Sequence, residues 1–171
     1  MFIACVSSAQ TPERAKPRSR SFSLGADPVV ELDSISAAIK AHPDSVELYR
    51  KRAAKIFPHA RGGGGGVGDK YPTSVLFTDM EKAISLRPSD PALLVERGDY
   101  RWEVMQDTTA ALADMGKALE MDPKNPRTYD ARGILFVKMG DYQKACNDFT
   151  AGGALGDALC RESMTTFCPR K

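Results

Sequence analysis

Side chains able to do chemistry are few and scattered along the 171-residue chain. Four cysteines stand at positions 5, 146, 160 and 168, and two histidines at 42 and 59. A protein-bound zinc needs ligands paired a few residues apart. The chain has no C-x-x-C pair and no histidine close to a cysteine, so no metal site is expected. Nucleophilic catalysis needs a base within hydrogen-bond reach of a serine or cysteine. His42 precedes a proline and His59 stands at the mouth of a glycine run, with no nucleophile placed beside either. Carboxylates mostly sit at helical spacing from a base, as Glu47 does from Lys51, which is the pattern of a solvated helix face. Neither a catalytic residue nor a cofactor is expected, and the chain reads as a non-enzyme.

Gly63, Gly65 and Gly68 have the spacing of a dinucleotide-binding loop. Five consecutive glycines, Gly62 to Gly66, generate that spacing by composition alone. The motif works between a strand and a helix, whereas a helix ending near Phe57 and Pro58 comes first here. The phosphate-loop pattern fails as well, since Lys70 lies between Asp69 and Tyr71. Residues 59–72 are therefore read as a flexible glycine-rich loop.

With 42% apolar and 27% charged residues and a mean hydropathy of −0.34, the composition is that of a globular chain. No run approaches the roughly 18 apolar residues of a membrane span, so no transmembrane segment is expected. Lysines and arginines number 24 against 22 acids, too small an excess for a general nucleic-acid binder, and no nucleic-acid partner is expected. The excess is also local. Arg14, Lys16, Arg18 and Arg20 against Glu13 give residues 11–20 a charge of +3 and leave 21–171 at −1.

Residues 10–26 have no apolar period and contain two prolines, so 1–26 is read as a disordered leader preceding a folded domain at 27–171. A basic arm that touches nucleic acid or anionic lipid is the other use of such a segment, and its affinity would collapse with salt. The opening MFIACVSSA resembles the back half of a secretion signal, with small residues at Ser7 and Ala9, although the basic front half is missing. Phe2-Ile3-Ala4-Cys5 resembles a lipoprotein acylation box with Phe in place of the usual Leu. Export to a periplasmic or secreted location is expected over a cytoplasmic one.

Stepping through the folded part, three stretches align without gaps: 77–88, 112–123 and 146–157, with Asp79, Asp114 and Asp148 spaced by 35 and 34 residues. A second echo precedes each, at Arg52-Ala53, Arg97-Gly98 and Arg132-Gly133. The repeating unit is thus about 34 residues in two parts, and self-similarity of this kind implies stacked units. Each part has apolar or small residues at helical spacing, such as Leu112, Met115, Leu119 and Tyr129, Gly133, Phe136. Asp44, Asp90 and Asn125 are expected as helix caps, with Pro43, Pro88 and Pro123 closing the preceding helices. Small residues at Gly98, Gly133, Ala111 and Ala145 suit close helix approach. In the first unit Arg52 and Asp79 are eleven residues farther apart than Arg132 and Asp148, which places the glycine-rich loop between its helices. The expectation is eight helices and no strand.

These features resemble the tetratricopeptide repeat, carried by Tyr129, Gly133, Phe136, Gly140-Asp141-Tyr142, Ala145 and Phe149 in the last unit and by Gly98, Ala111, Met115, Ala118 and Pro123 in the middle one. The resemblance implies an all-α, right-handed α-solenoid of about three helix-turn-helix repeats with N- and C-terminal capping helices. Arg101 stands where that pattern has an aromatic core residue, and Gly152-Gly153 should weaken or end the last repeat helix. The family's concave groove binds protein segments. It implies a non-catalytic, monomeric scaffold for a protein or peptide, with Arg50, Ala54, Asp99, Trp102, Arg127, Asp130 and Ile134 lining the groove. Asp99 and Ile134 replace the asparagines of the family's carboxylate clamp, which disfavours a C-terminal carboxylate as ligand. A structural accessory of a larger envelope or secreted assembly, using its outer faces, is the alternative. Trp102 is read either as a groove anchor or as a ring folded onto the neighbouring helix.

Two flanking pieces read as caps, 28–41 at the start and 157–168 at the end. If the helix over 142–153 turns near Gly156 and the last segment runs back antiparallel, Cys146 lies opposite about residue 166. Cys168 is then its nearest cysteine and a disulfide Cys146 to Cys168 is expected, with Cys160 free beside about residue 152. The other reading is small buried thiols kept reduced.

Overall fold

The computed structural model describes residues 27–168. The leader read from residues 1–26, with its signal-like start and basic arm, lies outside the described residues. Eight helices follow in order: α1 (Pro28–Ala41), α2 (Val46–Ala60), α3 (Thr73–Leu86), α4 (Pro91–Met105), α5 (Thr108–Met121), α6 (Pro126–Lys138), α7 (Tyr142–Ala154) and α8 (Ala158–Phe167). Their starts are fixed by side chains that accept otherwise orphaned amides. Asp90 caps α4, Asp107 caps α5, Asn125 caps α6, Asp141 caps α7 and Asp157 caps α8. Asp44 does not cap. It lies in the turn before α2, whose cap position is Ser45 without a side-chain bond.

Helices α2 and α3, α4 and α5, and α6 and α7 form the three extensive pairs. Only two residues join α4 to α5 and three join α6 to α7, so these two pairs are antiparallel. The small residues mark where the pairs touch. A β-carbon added to Gly133 would lie 2.5 Å from the Phe149 ring, and one on Gly98 would lie 3.1 Å from the Ala111 carbonyl. Phe149 is fully buried between α6, α7 and α8, with Phe136, Ala145, Met164 and Phe167 about it.

The glycine-rich insertion departs from expectation. Gly66–Val67 (β1) and Tyr71–Pro72 (β2) pair antiparallel as a two-residue ribbon, and Val67 and Tyr71 are buried with Leu32, Ile56, Leu76 and Met80. The Tyr71 hydroxyl donates to Asp33 at 2.6 Å and lies 3.0 Å from the Ser36 hydroxyl, both on α1. Gly66 has φ +101°, and a β-carbon there would lie 2.3 Å from the Tyr71 carbonyl oxygen. The segment is therefore a packed hairpin that ties α1 to the first pair. Composition could not show this, because the anchoring comes from the two apolar residues beyond the glycines.

The glycines near the end do not weaken their helix as expected. Helix α7 runs through Gly152 and Gly153 to Ala154. A β-carbon on Gly152 would lie 2.3 Å from the Cys160 sulfur, and one on Gly153 would lie 3.3 Å from Arg161 Cγ. The pair is the close-approach point of α8, and the packing it permits outweighs the roughly 1 kcal/mol that a helical glycine costs.

The hairpin makes a prediction opposite to that of a free loop. Tyr71→Ala should destabilise the chain by about 3 kcal/mol through the cavity it leaves, and Tyr71→Phe by about 1 kcal/mol through the lost hydrogen bonds. Denaturant unfolding of the two variants measures both. Equal stability of Tyr71→Ala and the parent would show that the hairpin is not part of the core.

Candidate functional site

Each helix pair is locked by the same ion pair, built from the two echoes in the sequence. Arg52 meets Asp79, Arg97 meets Asp114 and Arg132 meets Asp148, each through Nε and Nη2 to the two carboxylate oxygens at 2.7 to 2.9 Å. Asp79, Asp114 and Asp148 are buried. Burial pushes the Asp79 carboxyl up against the pull of Arg52, while the bond to Asp79 holds Arg52 firmly charged. Arg101 adds a second cation to Asp114 at 2.8 Å, which accounts for an arginine where an aromatic was expected.

With these arginines turned between the helices, the face formed by α2, α4 and α6 carries a cleft of about 550 Å³. On its apolar side, Phe57 and Tyr100 stand with ring centroids 4.7 Å apart, continued by Ala131 and Ile134. Glu96, Asp99, Glu103 and Asp130 supply carboxylates. Glu96 is held by Arg50 Nε at 3.0 Å. Glu103 is held by Arg61 at 3.0 Å and by Lys138, which together keep its carboxyl low, Lys138 most strongly. Asp99 is exposed on the wall of the cleft. Desolvation raises its pKa to about 6, with Glu103 and Glu96 adding and Lys138 opposing. Burial likewise raises Tyr100 to about 12 and draws the Asp130 carboxyl up. A second hollow of about 410 Å³ continues along α2 past Arg50, Lys51 and Ala54.

Of the residues expected to line the groove, Asp99, Asp130 and Ile134 share the first cleft, and Arg50 and Ala54 the second. Arg127 is exposed at the start of α6 and lines neither. Trp102 does not line the cleft. It is half-buried against Ala111, Met115 and Leu135, with the Lys138 ammonium 5.9 Å from its ring centroid. The stripe of α4 that faces the cleft is Glu96, Asp99, Tyr100 and Glu103, the i, i+3, i+4, i+7 set of one helix face. Trp102 falls off that stripe. Asp99 lies on the expected face, but the stripe continues from it through Tyr100 and Glu103, and Trp102, three residues on, takes the alternative position folded onto the neighbouring helices.

Cys146 and Cys168 are disulfide-bonded with α-carbons 5.6 Å apart, and Cys160 is buried and free. Burial first, then Asp130 and Asp157, push the Cys160 thiol up to about 12, so it is a poor nucleophile at neutral pH. His42 ends α1 and His59 lies in the last turn of α2. Among the described residues no group of three or more histidines, cysteines or acids stands together as a metal-binding set. No described helix is long and apolar enough to cross a membrane.

Comparison with solved structures places this geometry among known folds. A crystal structure of MamA aligns with a TM-score of 0.59 at 17% identity, over 82% of this chain and 76% of that one. A second, of MamA protein, aligns with a TM-score of 0.58 at 17% identity, over 82% and 71%. The TPR domain of P58(IPK) aligns with a TM-score of 0.33 at 18% identity, over 82% of this chain and 50% of that chain. No family model and no curated protein matches the sequence. At such identities the likeness is one of fold, and that fold is the all-α solenoid of tetratricopeptide type.

Two outcomes follow from these positions. Trp102→Ala should lower stability by about 2 kcal/mol, because the ring leaves a half-filled seam; an unchanged melting point would return Trp102 to the surface. Reducing the disulfide should cost about 3 kcal/mol for a closed loop of this length, with Cys160 alkylated only on unfolding. Rapid labelling of Cys160 in the native, oxidised chain would contradict its burial.

Proposed function

We propose that the chain is a non-catalytic scaffold that binds a protein or peptide in the concave groove formed by α2, α4 and α6. The observation that carries this reading is the continuous cleft crossing three consecutive helix pairs, apolar along Phe57, Tyr100 and Ile134 and polar along its rim. Grooves of that make-up bind extended or helical segments by burying a few side chains and excluding water around them. Proteins of tetratricopeptide-type fold generally act as interaction scaffolds, which supports the reading in its general form.

An exported location goes with it. A bridge between Cys146 and Cys168 persists in oxidising compartments and is rarely maintained in a reducing cytosol, and this supports a periplasmic or secreted scaffold.

The accessory role on outer faces is favoured by one observation. A hollow of about 520 Å³ lies between α3, α4 and α5, lined by Phe77, Met105 and Ala110, with Met105 59% exposed.

Panning a random peptide library on the full chain separates the two. Asp99 is exposed, so Asp99→Trp fills the cleft without disturbing the core, and ligands of the groove should lose binding to it while still binding Met105→Glu. Ligands lost only on Met105→Glu would move the function to the outer face.

A further inference from the structure

Resting on the groove as the binding site, we propose that its ligand presents a lysine or arginine side chain beside an apolar one. The cation would sit against Asp99 and Asp130, and the apolar group on Phe57, Tyr100 and Ile134.

The charge inventory of the cleft carries this. Among its lining residues Glu96, Asp99, Glu103 and Asp130 face a single base, Arg61. The nearby cations are already engaged, Arg50 on Glu96 and Glu47, and Lys138 and Arg61 on Glu103. Asp99 has no hydrogen bond or ion pair among the described residues, and Asp130 receives one long bond, 3.4 Å, from the Ser163 hydroxyl. The groove therefore holds two carboxylates without a cation in direct contact, Asp99 exposed on its wall and Asp130 half-buried, and Lys138 acts on Asp99 only from its place on Glu103. An incoming ammonium or guanidinium supplies it, while an anionic segment adds a third charge of the same sign. The aromatic pair beside them takes the apolar neighbour and can face the cation with its rings.

Binding of this kind depends on pH. The charged groups around Asp99 are Glu96 and Glu103 on its own helix, Asp130 and Lys138 on α6, Arg50 on α2 and Arg61 just after it. Desolvation, with Glu103 and Glu96 adding and Lys138 opposing, favours the protonated form of Asp99, so a cationic ligand must displace a proton as pH falls through about 6. Affinity is then full above that value and declines below it. The ionised carboxylate opposes folding above the same value, so Asp99→Asn should melt no lower than the parent at neutral pH.

The test uses the full chain and four labelled dodecapeptides of glycine and serine, carrying at the centre Lys-Leu-Lys, Glu-Leu-Glu, Gln-Leu-Gln or Lys-Ser-Lys, read by fluorescence polarisation. Lys-Leu-Lys should bind tightest, and Asp99→Asn should weaken it about tenfold at pH 7.5 with an unchanged fold. Parent affinity should fall about tenfold from pH 7.5 to 5, with most of that slope lost in Asp99→Asn. The proposal is overturned if the acidic or neutral peptide binds as well, if Lys-Ser-Lys equals Lys-Leu-Lys, if Asp99→Asn changes nothing, or if none binds at millimolar concentration. Asp99→Trp separates the levels. Neutral or acidic peptides that bind the parent and lose binding to Asp99→Trp would leave the groove as the site and remove its charge preference. Lys-Leu-Lys binding undiminished by Asp99→Trp would remove both.

Discussion

A guanidinium set between two helices, its fork closed on a buried carboxylate, is the interaction to which the rest of this solenoid is fitted. It recurs as Arg52 with Asp79, Arg97 with Asp114 and Arg132 with Asp148. A planar fork accepts a carboxylate in one register only, so each pair fixes which turn of the second helix lies against which turn of the first. The residue after each arginine, Ala53, Gly98 or Gly133, is then brought to the helix contact, where only a small side chain fits. Such pairs add little net stability over apolar packing, but losing one partner leaves a buried charge, which costs about 3 to 5 kcal/mol. Register is what they contribute. In the first unit the pair forms even though the hairpin separates its members in sequence, because the helices meet as they do in the other two.

Both members of that pair were visible in the sequence as separate echoes. Their union was not, since a period measures translation along the chain and says nothing of which residues face each other. The number and order of the helices followed from periodicity, and most caps from residue type. What escaped was tertiary in origin. Five glycines imply freedom, but Val67 and Tyr71 are drawn into the core and close the segment. Gly152 and Gly153 imply a weak helix end, but they are the floor on which α8 lies. Spacing alone does not tell whether the stripe through Asp99 continues at Trp102 or at Glu103, and packing against Ala111, Met115 and Leu135 takes Trp102 out of it.

The same arginines explain why the groove is acidic in a chain of nearly balanced charge. Arg52, Arg97, Arg101 and Arg132 all lie on first helices of pairs, and all four turn to carboxylates of the second helices. The acids of the first helices are thereby left on the opposite face. Arg50 reaches Glu47 and Glu96, and Arg61 and Lys138 reach Glu103. Asp99 and Asp130 remain without a cation in direct contact, so the electrostatic character of the cleft is a by-product of how the helices are locked.

A stack of helix pairs must also close its two ends, because a terminal pair has one apolar face with no neighbour. The two ends meet that requirement differently. At the start, α1 lays Leu32, Ile35 and Ile39 on the first pair, and Tyr71 bonds the hairpin to Asp33 and Ser36 so that α1 is held by polar contacts as well. At the finish, α8 is only ten residues long and buries one residue fully, Cys160. So short a helix is marginal unless something holds it. The glycine pair lets it approach α7 closely, Phe167 packs near the Phe149 ring, and the bond from Cys146 to Cys168 fixes its far end. Covalent closure thus stands at the end where packing alone supplies least.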